Sequence, residues 1–533
     1  MSDWLRRLRR PDLLIALALL FLAALAMGPG MLPGRTPLPL DILGLFEPWR
    51  LEWPAAANPE VGDAVLQFSS RVFMAESLKS GHLPLWNPTV MAGHPHAGDT
   101  HSSPFYLPLL LLSWCCHPLT AYKLQLLLQM WLAGVFMFLW MRALHLARLP
   151  AAAAAIAWML AGVQQIWLPF PPFPGTLCWL TAIPAAWEVA RRTGSRRAMA
   201  GGALATGLAI TAGQLQFFLY GGLLLGLYGL LRLAASPPEQ RRRGIWAGAA
   251  IAGLGLALGA VHVLPTYAVA LDTIRPPFTW EALRQTGLPW RQLVTLVAPW
   301  FMGHPGRGDY RGAQNASELM AYVGLLPLLA ALTAWWIRRD RLTALFSGLA
   351  LLVMAIALAT PLAWPLAHTP WLQRFGLMRW LALWPLLVAP LLALVLDAVA
   401  SGAAATGAIA SAGAASAGPE SAGRPAVTAT ARRLRVLPLA AALLAALLLL
   451  SVRLDPKGAA EMTAALGWLV ASALALMLWV RRPRSAPRSA LLLVVLAADL
   501  LVMGRGYVPS APTSDYFPPL ALLDRLLAER ARD

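Results

Sequence analysis

Residues 13–27 read LLIALALLFLAALAM, an unbroken apolar run that follows Arg6, Arg7, Arg9 and Arg10 and continues through Gly28-Pro29-Gly30 to Met31. An apolar stretch of about 20 residues is what a helix needs to cross the hydrocarbon core of a bilayer. The arginines before it hold that end on the cytoplasmic side. No small-residue cleavage motif closes the run, so it reads as a retained first helix and not as a removed signal.

Outward from this segment the same pattern repeats. Apolar runs are expected to span at 119–144, 150–168 and 175–189, on either side of Gln214 and Gln216, and at 244–267 and 318–337. Two more flank residues 364–375, the second ending near Asp397, and the last three lie at 436–451, 462–480 and 490–503. The run 105–113 is too short to cross alone and fits a re-entrant or interfacial segment. Arginines cluster in alternate connections: Arg142 and Arg148; Arg191, Arg192, Arg196 and Arg197; Arg232 and Arg241 to Arg243; Arg338, Arg339 and Arg341; Arg481, Arg482, Arg484 and Arg488. Cations concentrated on one side are the topological signature of a multi-pass protein. The expected fold is therefore an all-α integral membrane protein of about thirteen transmembrane helices. Its N-terminus is cytoplasmic, its C-terminus is outside, and two large outer loops cover 33–118 and 268–317.

Composition agrees. The 533 residues are 58% hydrophobic and 13% charged, against roughly a quarter charged in soluble domains. The net charge of +18 sits in short loops, not in a basic stripe with interleaved aromatics, so nucleic acid is excluded as a partner. Three cysteines, Cys115, Cys116 and Cys178, form no disulfide or metal pattern. The chain divides into a membrane core (1–398), an Ala/Gly/Ser-rich cytoplasmic linker (399–435), C-terminal transmembrane helices (436–503) and a short outer tail (504–533). No internal repeat is visible, which speaks against an inverted-repeat transporter.

Ionisable groups are expensive within a bilayer, and few fall there. Asp499 lies in the last span, where bonding to a neighbouring helix is the plain reading, while Asp397 and Glu188 lie near inner ends. The polar chemistry is concentrated in the outer loops. A carboxylate soon after the first helix can deprotonate a hydroxyl acceptor or hold a divalent metal beside a departing phosphate. Asp41 and Asp63 are placed for this, and Asp63 also stands where it would favour the N-terminus of a loop helix over residues 65–78. Trp49, Phe68, Phe73, Trp86 and Phe105 suit either sugar stacking or an interfacial belt. His94, His96, Asp99 and His101 are metal-compatible types, and also ordinary solvated loop residues. Arg374 and Arg379 run against the trend of cations inside; a pair at the outer end of a span can hold a lipid phosphate or snorkel to headgroups.

Several motifs carry a resemblance. Gly62-Asp63, Gln67-Phe68, Ser80-Gly81-His82-Leu83-Pro84-Leu85-Trp86-Asn87-Pro88, Gly93 and Ser103-Pro104-Phe105 resemble the first outer loop of the YfhO family, bacterial multi-spanning proteins related to the GT-C glycosyltransferases. Pro299-Trp300-Phe301-Met302-Gly303, Glu318 and Ala321-Tyr322-Val323-Gly324-Leu325 resemble the second loop, and Arg374-Phe375 with Arg379 the arginine-bearing helix start. The resemblance implies a GT-C-like bundle in a bacterial cytoplasmic (inner) membrane. It implies transfer of a sugar from a polyprenyl-phosphate donor to an envelope polymer, lipid or protein on the outer face. It makes Asp63 the catalytic carboxylate, with Asp41 second, and Glu318, Arg374, Arg379, Gln67 and Trp86 the substrate-binding set. Metal dependence stays open. Longer relatives continue into a soluble outer domain beyond their last helices, and the residues 401–430 look like an insertion.

Two other classes fit the same residues. Gln125, Gln129, Gln164 and Gln165 offer a transporter or flippase of a lipid-linked intermediate some polar lining, and a non-catalytic envelope-assembly protein would need no site at all.

Overall fold

The computed structural model describes residues 10–47, 49–51, 58–272, 276–415 and 455–516, with isolated positions among 438–446 and 525–529. Nearly all ordered elements are helices. They are α1 (Arg10–Ala26), α2 (Asp63–Lys79), α3 (Leu107–Cys115), α4 (Pro118–Ala143), α5 (Arg148–Met159), α6 (Gly162–Ile166), α7 (Pro172–Thr193), α8 (Arg196–Thr211) and α9 (Leu215–Ala234). There follow α10 (Pro238–Leu271), α11 (Trp280–Gln285), α12 (Ala316–Leu319), α13 (Leu325–Ile337), α14 (Arg341–Ala357), α15 (Trp364–Ala367), α16 (Trp384–Ala415), α17 (Ala459–Arg481) and α18 (Ala486–Gly504).

Among the described residues six helices are long and apolar enough to cross a membrane: α4, α9, α10, the segment Leu377–Gly402 formed by the turn before α16 and the first part of α16, α17 with its leading turn, and α18. A seventh results if α14 and the segment Pro361–Ala367, bent by 90°, count as one span. The protein is thus an all-α membrane protein. α10 presents Leu254, Leu256, Leu258 and Leu264 outward, as lipid contact requires. α16 is the inner helix, with Leu386, Leu387, Val388, Leu391, Leu392 and Leu394 buried.

Local chemistry starts and stops these helices where the charge pattern turns. The Ser195 hydroxyl accepts from the Ala198 amide (3.3 Å) at the start of α8, and the Asp340 carboxylate accepts from the Thr343 amide (2.8 Å) at the start of α14. Gly194 closes α7 at φ 69°, a left-handed position that suits glycine.

Polar contacts sort the connections onto two faces. On one, the Arg148 guanidinium pairs with Asp12 (2.7 Å), Arg338 with Asp397 (3.2 Å), and Glu188 takes both Arg191 and Arg232 at 2.7 Å. On the other, β1 (Arg35–Thr36) pairs antiparallel with β2 (Ala511–Pro512), Arg35 Nε donates to Ser510 Oγ (2.8 Å), and Asn58 Nδ2 donates to the Tyr507 carbonyl (2.9 Å). The Ala316 amide donates to Glu60 (2.9 Å), Trp300 Nε1 to the Met503 carbonyl (2.8 Å), and Arg311 pairs with Asp455 (3.0 Å). The two expected outer loops and the segment after α18 therefore meet on one face, and the arginine-rich turns gather on the opposite one.

Three boundaries differ from the sequence expectation. The run 150–168 is not one helix: α5 ends at Met159 and α6 begins at Gly162. The extended segment 320–323 fits into this break, where the Gly162 amide donates to the Tyr322 carbonyl (2.8 Å). Gln165 Nε2 satisfies the Leu160 carbonyl (2.6 Å) and the Leu500 carbonyl (2.9 Å), so the buried carbonyls freed by the break keep a donor. The run 318–337 is divided likewise: Glu318 sits in the four-residue α12, and α13 starts at Leu325 after Gly324 at φ +94°. The helix expected to end near Asp397 continues to Ala415, so residues 399–415 of the expected linker are helical. The run 105–113 forms the nine-residue α3, as short as its apolar length implied. Linker residues 416–435 and most of the expected span 436–451 lie outside the described residues.

Candidate functional site

The face carrying both expected outer loops holds most of the residues singled out from sequence. Asp63 is the first residue of α2 and is exposed. Its carboxylate caps no amide by hydrogen bond and forms no ion pair among the described residues. A carboxylate at this positive end of the helix stabilises it. The Asp41 segment lies beside it: Ile42 packs against Gly62, where an added Cβ would come within 3.2 Å of Ile42 Cγ1. The two carboxylate-bearing segments are therefore neighbours.

Glu318 and Arg379, 61 residues apart, form a forked ion pair. Arg379 Nε donates to Glu318 Oε2 (2.8 Å) and Oε1 (3.1 Å), and Nη2 donates to Oε1. Arg379 Nη1 donates to Gln216 Oε1 (2.8 Å), Gln216 Nε2 donates to the Tyr220 hydroxyl (3.1 Å), and Tyr220 donates to the Gly376 carbonyl (3.2 Å). Tyr220 stacks on Trp380 at 4.4 Å. The guanidinium is thus oriented by a carboxylate and an amide, and two of its five N–H donors remain for a ligand.

His101 connects this arginine to the first loop. Burial lowers the pKa of its imidazole; nearby Asp99 and Asp63 counter that, and Arg379 adds to it. Asp63, Asp99 and Arg379 therefore all lie within electrostatic reach of one largely neutral histidine. Its ring stacks over Phe173 (6.1 Å), which stacks over Trp167 (3.8 Å). Asp99 accepts from the Ser102 hydroxyl and from the His101 amide (3.1 Å).

Other expected residues are placed elsewhere. Arg374 lies in the turn Leu372–Arg374, its guanidinium carbon 5.4 Å from the Trp371 ring centre. Trp86 is 58% exposed and lies over Gly93, whose φ of +118° and absent Cβ permit the close approach. Its loop is pinned by reciprocal Asn87 and His94 backbone bonds of 2.8 Å. Gln67 follows Asp63 by one turn on α2, and its side-chain oxygen is buried without a hydrogen-bond partner. The histidines do not converge: His96 packs edge-on against Phe73, His101 faces Phe173, and no group of three or more His, Cys, Asp or Glu side chains among the described residues is arranged to hold a metal. Asp499 takes the bonding role expected of it, accepting from the Tyr322 hydroxyl (2.6 Å) and from the Leu325 amide (3.0 Å) at the start of α13.

Sequence reading passed over Gln216, Tyr220 and Arg71. The first two lie at the start of a span, where polar residues look like ordinary turn chemistry. Arg71 had a usable signal: Asp63, Gln67 and Arg71 are four residues apart and share one side of a helix.

No protein-family profile matches the chain, and no curated protein is similar enough to match it.

Proposed function

We propose that this protein is a membrane glycosyltransferase with a GT-C-like architecture of about thirteen spans. It would take a polyprenyl-phosphate-linked sugar and transfer it to an envelope polymer, lipid or protein on the outer face of a bacterial inner membrane. The observation that carries this reading is an exposed carboxylate at a helix N-terminus and a carboxylate-clamped arginine that both lie within electrostatic reach of His101. Asp63 takes the proton from the acceptor hydroxyl as it attacks the anomeric carbon. Arg379, held by Glu318 and Gln216, offers its remaining donors to the departing phosphate, where a charge-assisted bond is strongest. Asp41, on the segment that packs against Gly62, helps to hold the acceptor.

The test uses purified protein in detergent with a radiolabelled polyprenyl-phosphate sugar and envelope acceptor. Asp63→Ala should abolish transfer, and retention of full transfer would remove Asp63 from the mechanism.

One observation favours a second reading, transport of a lipid-linked intermediate. The amides of Gln129 and Gln164 and the Gln125 nitrogen are buried without partners between helices, as the lining of a polar path would be. Movement of a fluorescent polyprenyl-phosphate sugar across proteoliposomes, undiminished by Asp63→Ala, would put that reading first.

A further inference from the structure

Arg71 lies in the middle of α2 and is 3% exposed. A buried guanidinium needs a counter-charge and partners for its donors. Arg71 has few. Nη1 donates to Gln125 Oε1 (2.5 Å), and the guanidinium lies over the Tyr122 ring at 5.9 Å. Nη2 has no partner, nor do the neighbouring Gln125 nitrogen and the Gln67 oxygen. Asp99 is within electrostatic reach. Its carboxylate, however, is engaged by Ser102 and by the His101 amide, and no Arg71–Asp99 ion pair forms. Burial lowers the Arg71 pKa to about 10, which still leaves it cationic near neutrality.

The remaining groups nearby do not supply the missing charge. Tyr122 is protonated and donates to the Pro169 carbonyl (2.8 Å). His96 is buried, its two ring nitrogens are unbonded, and burial lowers its pKa to about 4. The region thus holds a fixed positive charge with two free donors, Arg71 Nη2 and Gln125 Nε2. Gln67 and the exposed Asp63 precede Arg71 on the same side of α2.

We propose that Arg71 and Gln125 form an anion site for a phosphate group, reached along α2 from the Asp63 end. The phosphate fills the vacant half of the guanidinium fork and takes the Gln125 amide as a second donor. The site is separate from Arg379, whose fork is occupied by Glu318. It does not depend on the transfer reaction, because it is defined by binding alone.

The chemistry is shared by a lipid-linked phosphate and a free phosphate, so the test has two arms. Binding of a short-chain polyprenyl monophosphate and of inorganic phosphate to the full-length protein in detergent is measured by calorimetry, for wild type, Arg71→Lys and the double variant Arg71→Met/Gln125→Leu. At least one ligand should bind wild type. The double variant should bind it roughly ten- to hundred-fold more weakly, the worth of hydrogen bonds to a charged group. Arg71→Lys should fall between. Binding of the lipid alone assigns the site to a lipid-linked phosphate, and binding of both assigns it to phosphate in general.

Folding is checked by the melting temperature without ligand. An apolar pair replacing an uncompensated buried charge is often neutral or stabilising. The double variant should therefore melt at or above wild type while losing the ligand-induced rise in melting temperature. Three results would overturn the site: neither ligand binding wild type, equal binding by the double variant, or a double variant that unfolds while wild type shows no ligand-induced stabilisation.

Discussion

Single residues here divide into those held by the fold and those left available. Arg379 is held, yet in a manner that matters for chemistry: the Glu318 fork and the Gln216 amide fix the plane of its guanidinium. A lysine keeps the charge and cannot reproduce that fork. Arg379→Lys should raise the KM for a polyprenyl-phosphate donor about tenfold or more, the worth of a charged hydrogen bond, with a smaller effect on kcat. An unchanged KM would mean that Arg379 serves only to anchor α12. His96 makes a pH prediction. Its pKa in the folded protein is about 4, below the usual value of 6.5, because it is buried. The unfolded chain binds more protons between those values, so this contribution to stability is complete above pH 6.5 and is lost as pH falls toward 4. Melting temperature in detergent should drop between pH 7.5 and pH 5, and His96→Gln should flatten that drop. At the residue scale, the sequence made legible the position of Asp63 at the start of a loop helix, because a carboxylate before an apolar-periodic run is a helix-start signal. The partnership of Glu318 with Arg379 joins chain positions 61 apart, and no local pattern announces it. Nothing in the local sequence marks Arg71 as buried.

At the level of elements, apolar length and arginine placement located most helices within a few residues. They failed where tertiary contacts break a continuous apolar run. Residues 150–158 are almost entirely apolar, and nothing in them marks the stop at Met159. The break exists because the extended segment 320–323 enters beside Gly162, and Gln165 takes over the freed carbonyl. A Cβ at Gly162 would lie 2.5 Å from Met320 Cγ and 3.2 Å from the Tyr322 carbonyl oxygen. Gly162→Val should therefore destabilise the protein by about 1–3 kcal/mol, the usual range for overpacking, read as a lower melting temperature. A melting temperature equal to wild type would show that this contact yields freely. The overrun of α16 to Ala415 has a simpler cause: alanine is the best helix former, so a composition that looks like a linker also propagates a helix.

Over the whole molecule, two sets of contacts agree with the charge pattern. Arg35 and Asn58 bond the segment after α18, Trp300 bonds Met503 at the end of α18 and the Ala316 amide bonds Glu60, while Arg148, Arg191, Arg232 and Arg338 form their ion pairs on the opposite face. The side assignment itself rests on the arginine-rich turns being cytoplasmic. Single cysteines placed at exposed Ser80 and Ser514, with the native cysteines replaced by alanine, should react with a membrane-impermeant maleimide in intact cells. A cysteine at exposed Thr193 should react only after lysis, and the reverse pattern would invert the protein and move Asp63 to the wrong side for a lipid-linked donor.

The central claim is enzymatic, and membranes carrying the protein test it most directly. A radiolabelled polyprenyl-phosphate sugar pool is supplied, and label in the envelope fraction is measured for wild type and for Asp63→Asn, beside a control glycosyltransferase. The expected result is label in an acceptor with wild type and loss of that label with Asp63→Asn. Failure of both proteins to transfer label where the control succeeds would contradict the claim and leave transport or envelope assembly as the function of this fold.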